Sequence, residues 1–159
     1  MKTLSVLGGG LFLIGFAATS AQAIPFHQGA AAIARAVGDC NNPCTIQLNG
    51  GGVVIDFVNA GAAIRAGARD KLVIDGYCAS ACMSMADRAR PRACITERAQ
   101  FAYHKTNYNR PIPLSADLRG WIVRHGGFPG NADTPGIMPN EVARQFWPLC
   151  SPSRLSQAR

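Results

Sequence analysis

The sequence predicts an α/β fold: one domain with a mainly parallel sheet, flanking helices and disulfide bracing. Three observations predict it. Short apolar, β-branched runs alternate with segments whose apolar residues recur at helical spacing. The runs at Thr45–Leu48 and Leu72–Ile74 are each followed by a Gly-containing turn and then a helical pattern, the layout of parallel strands joined by crossover helices. Six cysteines in a chain of 159 residues with an export-type leader point to disulfides formed in an oxidising compartment.

The leader comes first. Lys2 supplies a positive start, Leu4 to Phe16 an apolar stretch, and Ala21-Gln22-Ala23 a small-x-small cleavage site. Residues 1–23 therefore read as a signal peptide, residues 24–150 as the folded domain, and residues 151–159 as a disordered C-terminal tail. The expected location is periplasmic or secreted. No membrane span is expected in the mature chain, because no later stretch is long and apolar enough.

Phe26 to Val37 is alanine-rich, with Ile33 and Val37 at helical spacing; it reads as a short helix or a loose lead-in, with Gly38 as a natural stop. Asn41-Asn42-Pro43 makes a turn, and Thr45–Leu48 alternates as a strand does. Asn49-Gly50-Gly51-Gly52 breaks that strand. From Val53 to Ala68 the positions Val54, Ile55, Val58, Ala62 and Ile64 fit a one-sided helix. Lys71 to Cys82, KLVIDGYCASAC, then organises the rest: an apolar strand, Gly76, and Ser80 between two alanines at the head of the helical segment Cys82–Ala86. A hydroxyl on such a corner faces the positive end of a helix dipole.

Asp87 to Arg92 reads as a solvated basic loop, and Cys94–Thr96 and Ala99–His104 as strand-like pieces, the second ending on His104. Pro111 and Pro113 mark a linker before a helix over Leu114–Arg124, with Ser115 as N-cap and Gly126-Gly127 as stop. Phe128 to Gly136 is turn-rich. Pro139 opens a short last helix through Phe146, and Cys150 closes the domain.

Net charge is +7, but the arginines are scattered and the Arg88-x-Arg90-x-Arg92 cluster has no interleaved aromatics. Nucleic acid is therefore not expected as a partner. The pairs Cys40-x3-Cys44 and Cys78-x3-Cys82 resemble metal knuckles, yet an exported chain so poor in histidine fits disulfides better; neither a metal nor any other cofactor is expected. The expected pairings are Cys40 with Cys44 around the Asn-Asn-Pro turn, Cys82 with Cys94, and Cys78 with Cys150.

Gly51 lies 29 residues before Ser80, and His104 lies 24 residues after it. This layout of Gly51-Gly52, Gly76-Tyr77-Cys78-Ala79-Ser80 and Phe101-Ala102-Tyr103-His104 resembles the Clp protease proteolytic subunit of the crotonase-like superfamily. More narrowly, Cys78-Ala79-Ser80-Ala81-Cys82 is similar to the C-x-S-A-C motif of small exported Clp-protease-like proteins of bacteria. The resemblance covers roughly residues 45–105. It implies a Clp/crotonase-like core with Ser80 as nucleophile, His104 as general base, and Gly51, Gly52 and the N–H of Ala81 as oxyanion hole. The family's orienting carboxylate has its nearest match in Asp133, with Asp117 as the alternative.

The function expected from sequence is thus an exported serine hydrolase acting on a peptide or acyl substrate. The alternative is a catalytically inactive relative, a disulfide-braced binding or structural module of the cell envelope. Oligomeric state has no signature in the sequence.

Overall fold

The computed structural model describes residues 26–130 and 132–151, so residues 1–23, read as a leader, and all of the expected tail except Ser151 lie outside the described part. Among the described residues, five α-helices, one 3-10 turn and five strands follow in the order α1 (Phe26–Val37), β1 (Cys44–Asn49), α2 (Val54–Arg65), β2 (Leu72–Ala79), α3 (Ala81–Arg88), the 3-10 turn Arg90–Arg92, β3 (Ala93–Ile95), β4 (Gln100–Tyr103), α4 (Ala116–Arg124), β5 (Gly136–Met138) and α5 (Asn140–Ala143). The architecture is α/β, with a mixed, mostly parallel sheet and flanking helices.

β2 is the central strand because its first residues, Leu72, Val73 and Ile74, are apolar on both faces and all buried. β1 runs parallel along one edge of it. β3 and β4 divide the other edge, β3 beside Leu72–Ile74 and β4 beside Tyr77–Ala79, both parallel. β5 adds to β4 antiparallel, with Ile137 opposite Ala102. The core lies on the face covered by α2 and α3, where Phe57, Ile64, Ile74, Met83, Met85, Phe101 and Trp147 pack together. Trp147 stacks on Phe101 at 4.4 Å between ring centroids and donates its indole N–H to Ala86 O at 3.1 Å. A buried Trp needs such an acceptor for its one polar atom.

Two glycines set how closely these elements approach. A Cβ on Gly61 would lie 2.5 Å from Met85 O and 2.8 Å from Arg88 Cβ, so only glycine lets α2 cross α3 at this distance. A Cβ on Gly76 would lie 2.0 Å from Gln47 O, at the irregularity between Ile46 and Leu48 where the β1–β2 register shifts.

Several expectations need correction. Cys40–Cys44 is bonded as expected, but the other pairs are Cys78–Cys82 and Cys94–Cys150, not Cys82–Cys94 and Cys78–Cys150. The reason is the sharpness of the corner at Ser80, which brings the Cα atoms of Cys78 and Cys82 to 5.3 Å. Cys150 meanwhile arrives beside β3, where its N–H donates to Ile95 O and Leu149 bridges Ile95.

The segment Asp87–Arg92 is not a solvated loop. Asp87 is buried in the last turn of α3, and Arg90 is tied down on all sides. Arg90 Nε lies 2.8 Å from Asp87 Oδ1, an ion pair without hydrogen-bond alignment, and its other nitrogens donate to Asp117 Oδ2 and Ser115 Oγ. The guanidinium also sits 5.4 Å from the ring centroids of both Phe146 and Trp147. The hydrogen bond from Arg90 holds the Asp117 carboxyl well below the usual carboxylate range. Asp117 is thereby committed to the α3–α4 junction. Ser115 stands at the N-cap position of α4 but turns its hydroxyl to Asp87 and Asp117 rather than to the helix backbone.

β5 occupies the end of a stretch read as turns, and Pro139 is the N-cap of α5 rather than its first residue. All six cysteines are in disulfides, and among the described residues no helix is long and apolar enough to cross a membrane.

Candidate functional site

Ser80 is the residue where β2 ends and α3 begins, and its backbone is unusual. Its φ is +54° and its ψ is −121°, a combination that residues with a Cβ rarely adopt. The conformation is fixed from both sides: the Ser80 N–H donates to Ala102 O of β4 at 2.8 Å, and Ser80 O accepts from Met83 N–H at 3.0 Å. Strain of this kind costs on the order of 1–3 kcal/mol and persists where the surroundings over-determine it. The Cys78–Cys82 disulfide straddles the corner and closes its base.

The ordinary reason for a serine at a helix start is capping, in which its oxygen accepts from a first-turn N–H. Ser80 occupies the N-cap position of α3 and makes no such side-chain bond. Its hydroxyl has no hydrogen-bond partner among the described residues, and the residue is 8% exposed. A strained serine that does not cap its helix is left with a free hydroxyl at the positive end of α3. Ser80→Gly is accordingly expected to be more stable than Ser80→Ala, by about 1–2 kcal/mol in urea melts, because glycine tolerates positive φ. Equal stabilities would mean that the corner stores no strain.

The Gly loop converges on this corner. Gly51 has φ +89°, and a Cβ there would lie 2.8 Å from Ala79 O, 2.9 Å from Ser80 Cβ and 3.0 Å from Ala81 N. Glycine is thus required twice at one position, for its backbone angle and for the contact. The Gly51 N–H donates to Asn49 Oδ1 at 2.8 Å, so it is already used. Asn49, which in the sequence reads only as a strand breaker, is the residue whose side chain holds the loop at Gly51. Gly52 N–H has no acceptor among the described residues, and Ala81 is the first residue of α3, where N–H groups lack intrahelical partners.

His104 follows β4 directly. Because Ala102 pairs with Ala79 in parallel register, Ser80 and His104 leave the same end of adjacent strands. His104 Nδ1 lies 2.6 Å from Lys105 O. A carbonyl only accepts, so Nδ1 carries a proton, and in the neutral ring Nε2 is then the nitrogen with the lone pair. Lys105 is in turn anchored by its N–H to Pro129 O at 2.8 Å. Ser80 Oγ and His104 are not hydrogen-bonded to each other. Asp133 lies on an exposed bend and makes no hydrogen bond or ion pair with His104 among the described residues. The expected site residues Gly51, Ser80 and Ala81 are therefore brought together with Gly52 next in the loop, His104 is placed at the same sheet end, and Asp133 precedes β5, whose Gly136 pairs with Tyr103, without bonding to His104.

No family model, no curated protein and no solved structure matches this chain. The site is read from its geometry. No group of three or more His, Cys, Asp or Glu side chains is arranged to hold a metal among the described residues.

Proposed function

We propose that the chain is an exported serine hydrolase with a Clp/crotonase-like core, acting on peptide or other acyl bonds. One observation carries this reading: Ser80 is held at φ +54° against Gly51, with its hydroxyl engaged neither as a helix cap nor by any side chain. In the proposed reaction Ser80 Oγ attacks the acyl carbon as His104 Nε2 takes its proton. The oxyanion forms against the N–H groups of Gly52 and Ala81, while Gly51 provides the close approach. His104 then returns the proton to the leaving group, and water releases the acyl group from Ser80 by the same steps in reverse. Lys105 O takes the orienting part that a triad assigns to a carboxylate, holding the imidazole tautomer. The three disulfides and the leader-like first residues support an exported location.

A second reading, an inactive binding or structural module on the same frame, draws on the absence of a Ser80–His104 hydrogen bond. Fluorophosphonate labelling of the mature protein, read by intact mass, separates the two. The hydrolase reading expects one adduct on wild type, none on Ser80→Ala, and labelling slowed at least about 100-fold in His104→Ala.

A further inference from the structure

A polar cleft that Ser80 does not line lies between α2, α3 and the loop before α4. It encloses about 220 Å³ and is lined by Val58 and Arg65 of α2, Ser84, Asp87 and Arg88 of α3, and Pro113 to Ser115. Arg65 lies one turn beyond Gly61 on the same face of α2, and the site of the missing Gly61 Cβ is 2.8 Å from Arg88 Cβ. Two guanidinium side chains are thereby drawn to one cleft. Neither Arg65 nor Arg88 has an ion-pair or hydrogen-bond partner among the described residues.

The nearby carboxylate does not neutralise them. Asp87 Oδ1 accepts from Ser115 Oγ at 2.8 Å and pairs with Arg90, and Oδ2 accepts from the Ser115 N–H at 2.6 Å. Its charge is spent on holding the α3–α4 junction. Ser84 adds the second, independent observation. It is 1% exposed, its hydroxyl has no hydrogen-bond partner, and it lies in the cleft wall one turn before Arg88. A buried hydroxyl left unsatisfied is destabilising, and nothing in the packing of α3 requires one there.

From these we infer that the cleft binds a small oxyanion, such as phosphate, sulfate or a compact carboxylate, between Arg65 and Arg88 with a hydrogen bond from Ser84 Oγ. An arginine pair with a single hydroxyl suits tetrahedral or planar oxygen acceptors, which take the planar guanidinium donors two at a time. The volume accommodates one such ion with its residual water, water's own share being about 30 Å³ per molecule. The inference does not rest on Ser80 being reactive.

The test is thermal unfolding of the mature, disulfide-intact protein in inorganic phosphate or sulfate, against sodium chloride at matched ionic strength. Phosphate at about ten times its dissociation constant should raise Tm by roughly 3–5 °C. Arg65→Ala and Arg88→Ala should each lose most of that shift. Ser84→Ala should lose about half of it, while its unliganded Tm stays at or above that of wild type because the unsatisfied hydroxyl is gone. An equal shift in chloride would reduce the effect to charge screening and overturn the site. So would a phosphate shift unchanged in both arginine variants. The opposite sign for unliganded Ser84→Ala, a clear loss of stability, would show that the hydroxyl already has a structural role and remove it from the ligand set.

Discussion

Replacing Cys94 and Cys150 together with alanine is expected to cost about 4 kcal/mol of stability and to lower Tm by roughly 15 °C. The cross-link closes a loop with a sequence separation of 56, whereas Cys40–Cys44 and Cys78–Cys82 each close one of 4. In the chain-entropy account the loss grows with the logarithm of loop length, so each short bridge is expected to contribute only about 2 kcal/mol. The long bridge also fixes the strand-like Pro148–Cys150 segment beside β3, where Ile95 N–H donates to Pro148 O and Cys150 N–H to Ile95 O. Trp147, stacked on Phe101, is held in the core next to that segment. Urea melts of the double variant against wild type read the difference. A loss below about 1 kcal/mol would mean that the pairing with β3 and the burial of Trp147 hold the C-terminus without the bond.

Gly76→Ala is expected to destabilise the protein by about 3 kcal/mol and to slow labelling of Ser80 at least about tenfold. The added Cβ would stand 2.0 Å from Gln47 O, 3.0 Å from Gln47 C and 3.3 Å from Gln47 Cα. All three atoms are backbone, so no rotamer change relieves the clash and β1 has to move off β2. β1 runs straight into Asn49, whose side chain holds Gly51, and Gly51 packs on Ser80. A shift of β1 is thus delivered to the Gly51 loop beside Ser80 through only a few residues. Stability and labelling rate, measured on the same preparation, should fall together. An alanine variant with wild-type stability would contradict the close β1–β2 approach.

The parts of this protein that were legible in its sequence are those set by local pattern. The α1 range, the strand–Gly loop–helix order and the Ser80 corner follow from apolar spacing and glycine placement, and the ranges of α2 and α3 differ from expectation only at their ends. The inward face of α2 is a correction: Phe57, Ala60, Gly61, Ala63 and Ile64 are buried, whereas Ile55, expected to face inward, is 61% exposed. What was not legible depends on residues far apart in the chain. Arg90 reads as solvated because its partners Ser115 and Asp117 come from the next helix and its aromatic neighbours Phe146 and Trp147 from the chain's end. β5 is three residues long and takes its register from β4, so Gly136-Ile137-Met138 carries no strand pattern of its own. Cys78 and Cys82 face each other only because Ser80 bends the chain with a positive φ, which composition does not announce. At the site, the Gly loop and serine converge as the spacing suggests. The use of the Gly51 N–H by Asn49 and of His104 Nδ1 by Lys105 O are backbone-geometry facts that only the fold supplies.

The central claim is that Ser80 is an activated nucleophile, and the second-order rate of fluorophosphonate labelling, with the adduct located by peptide mapping, tests it most directly. The account predicts a single adduct on Ser80, formed at least about 1,000-fold faster than on any other serine of the chain, and slowed about 100-fold or more in His104→Ala. A correctly folded wild type that labels no faster than Ser80→Ala would contradict it. The strained corner would then be the frame of a binding module.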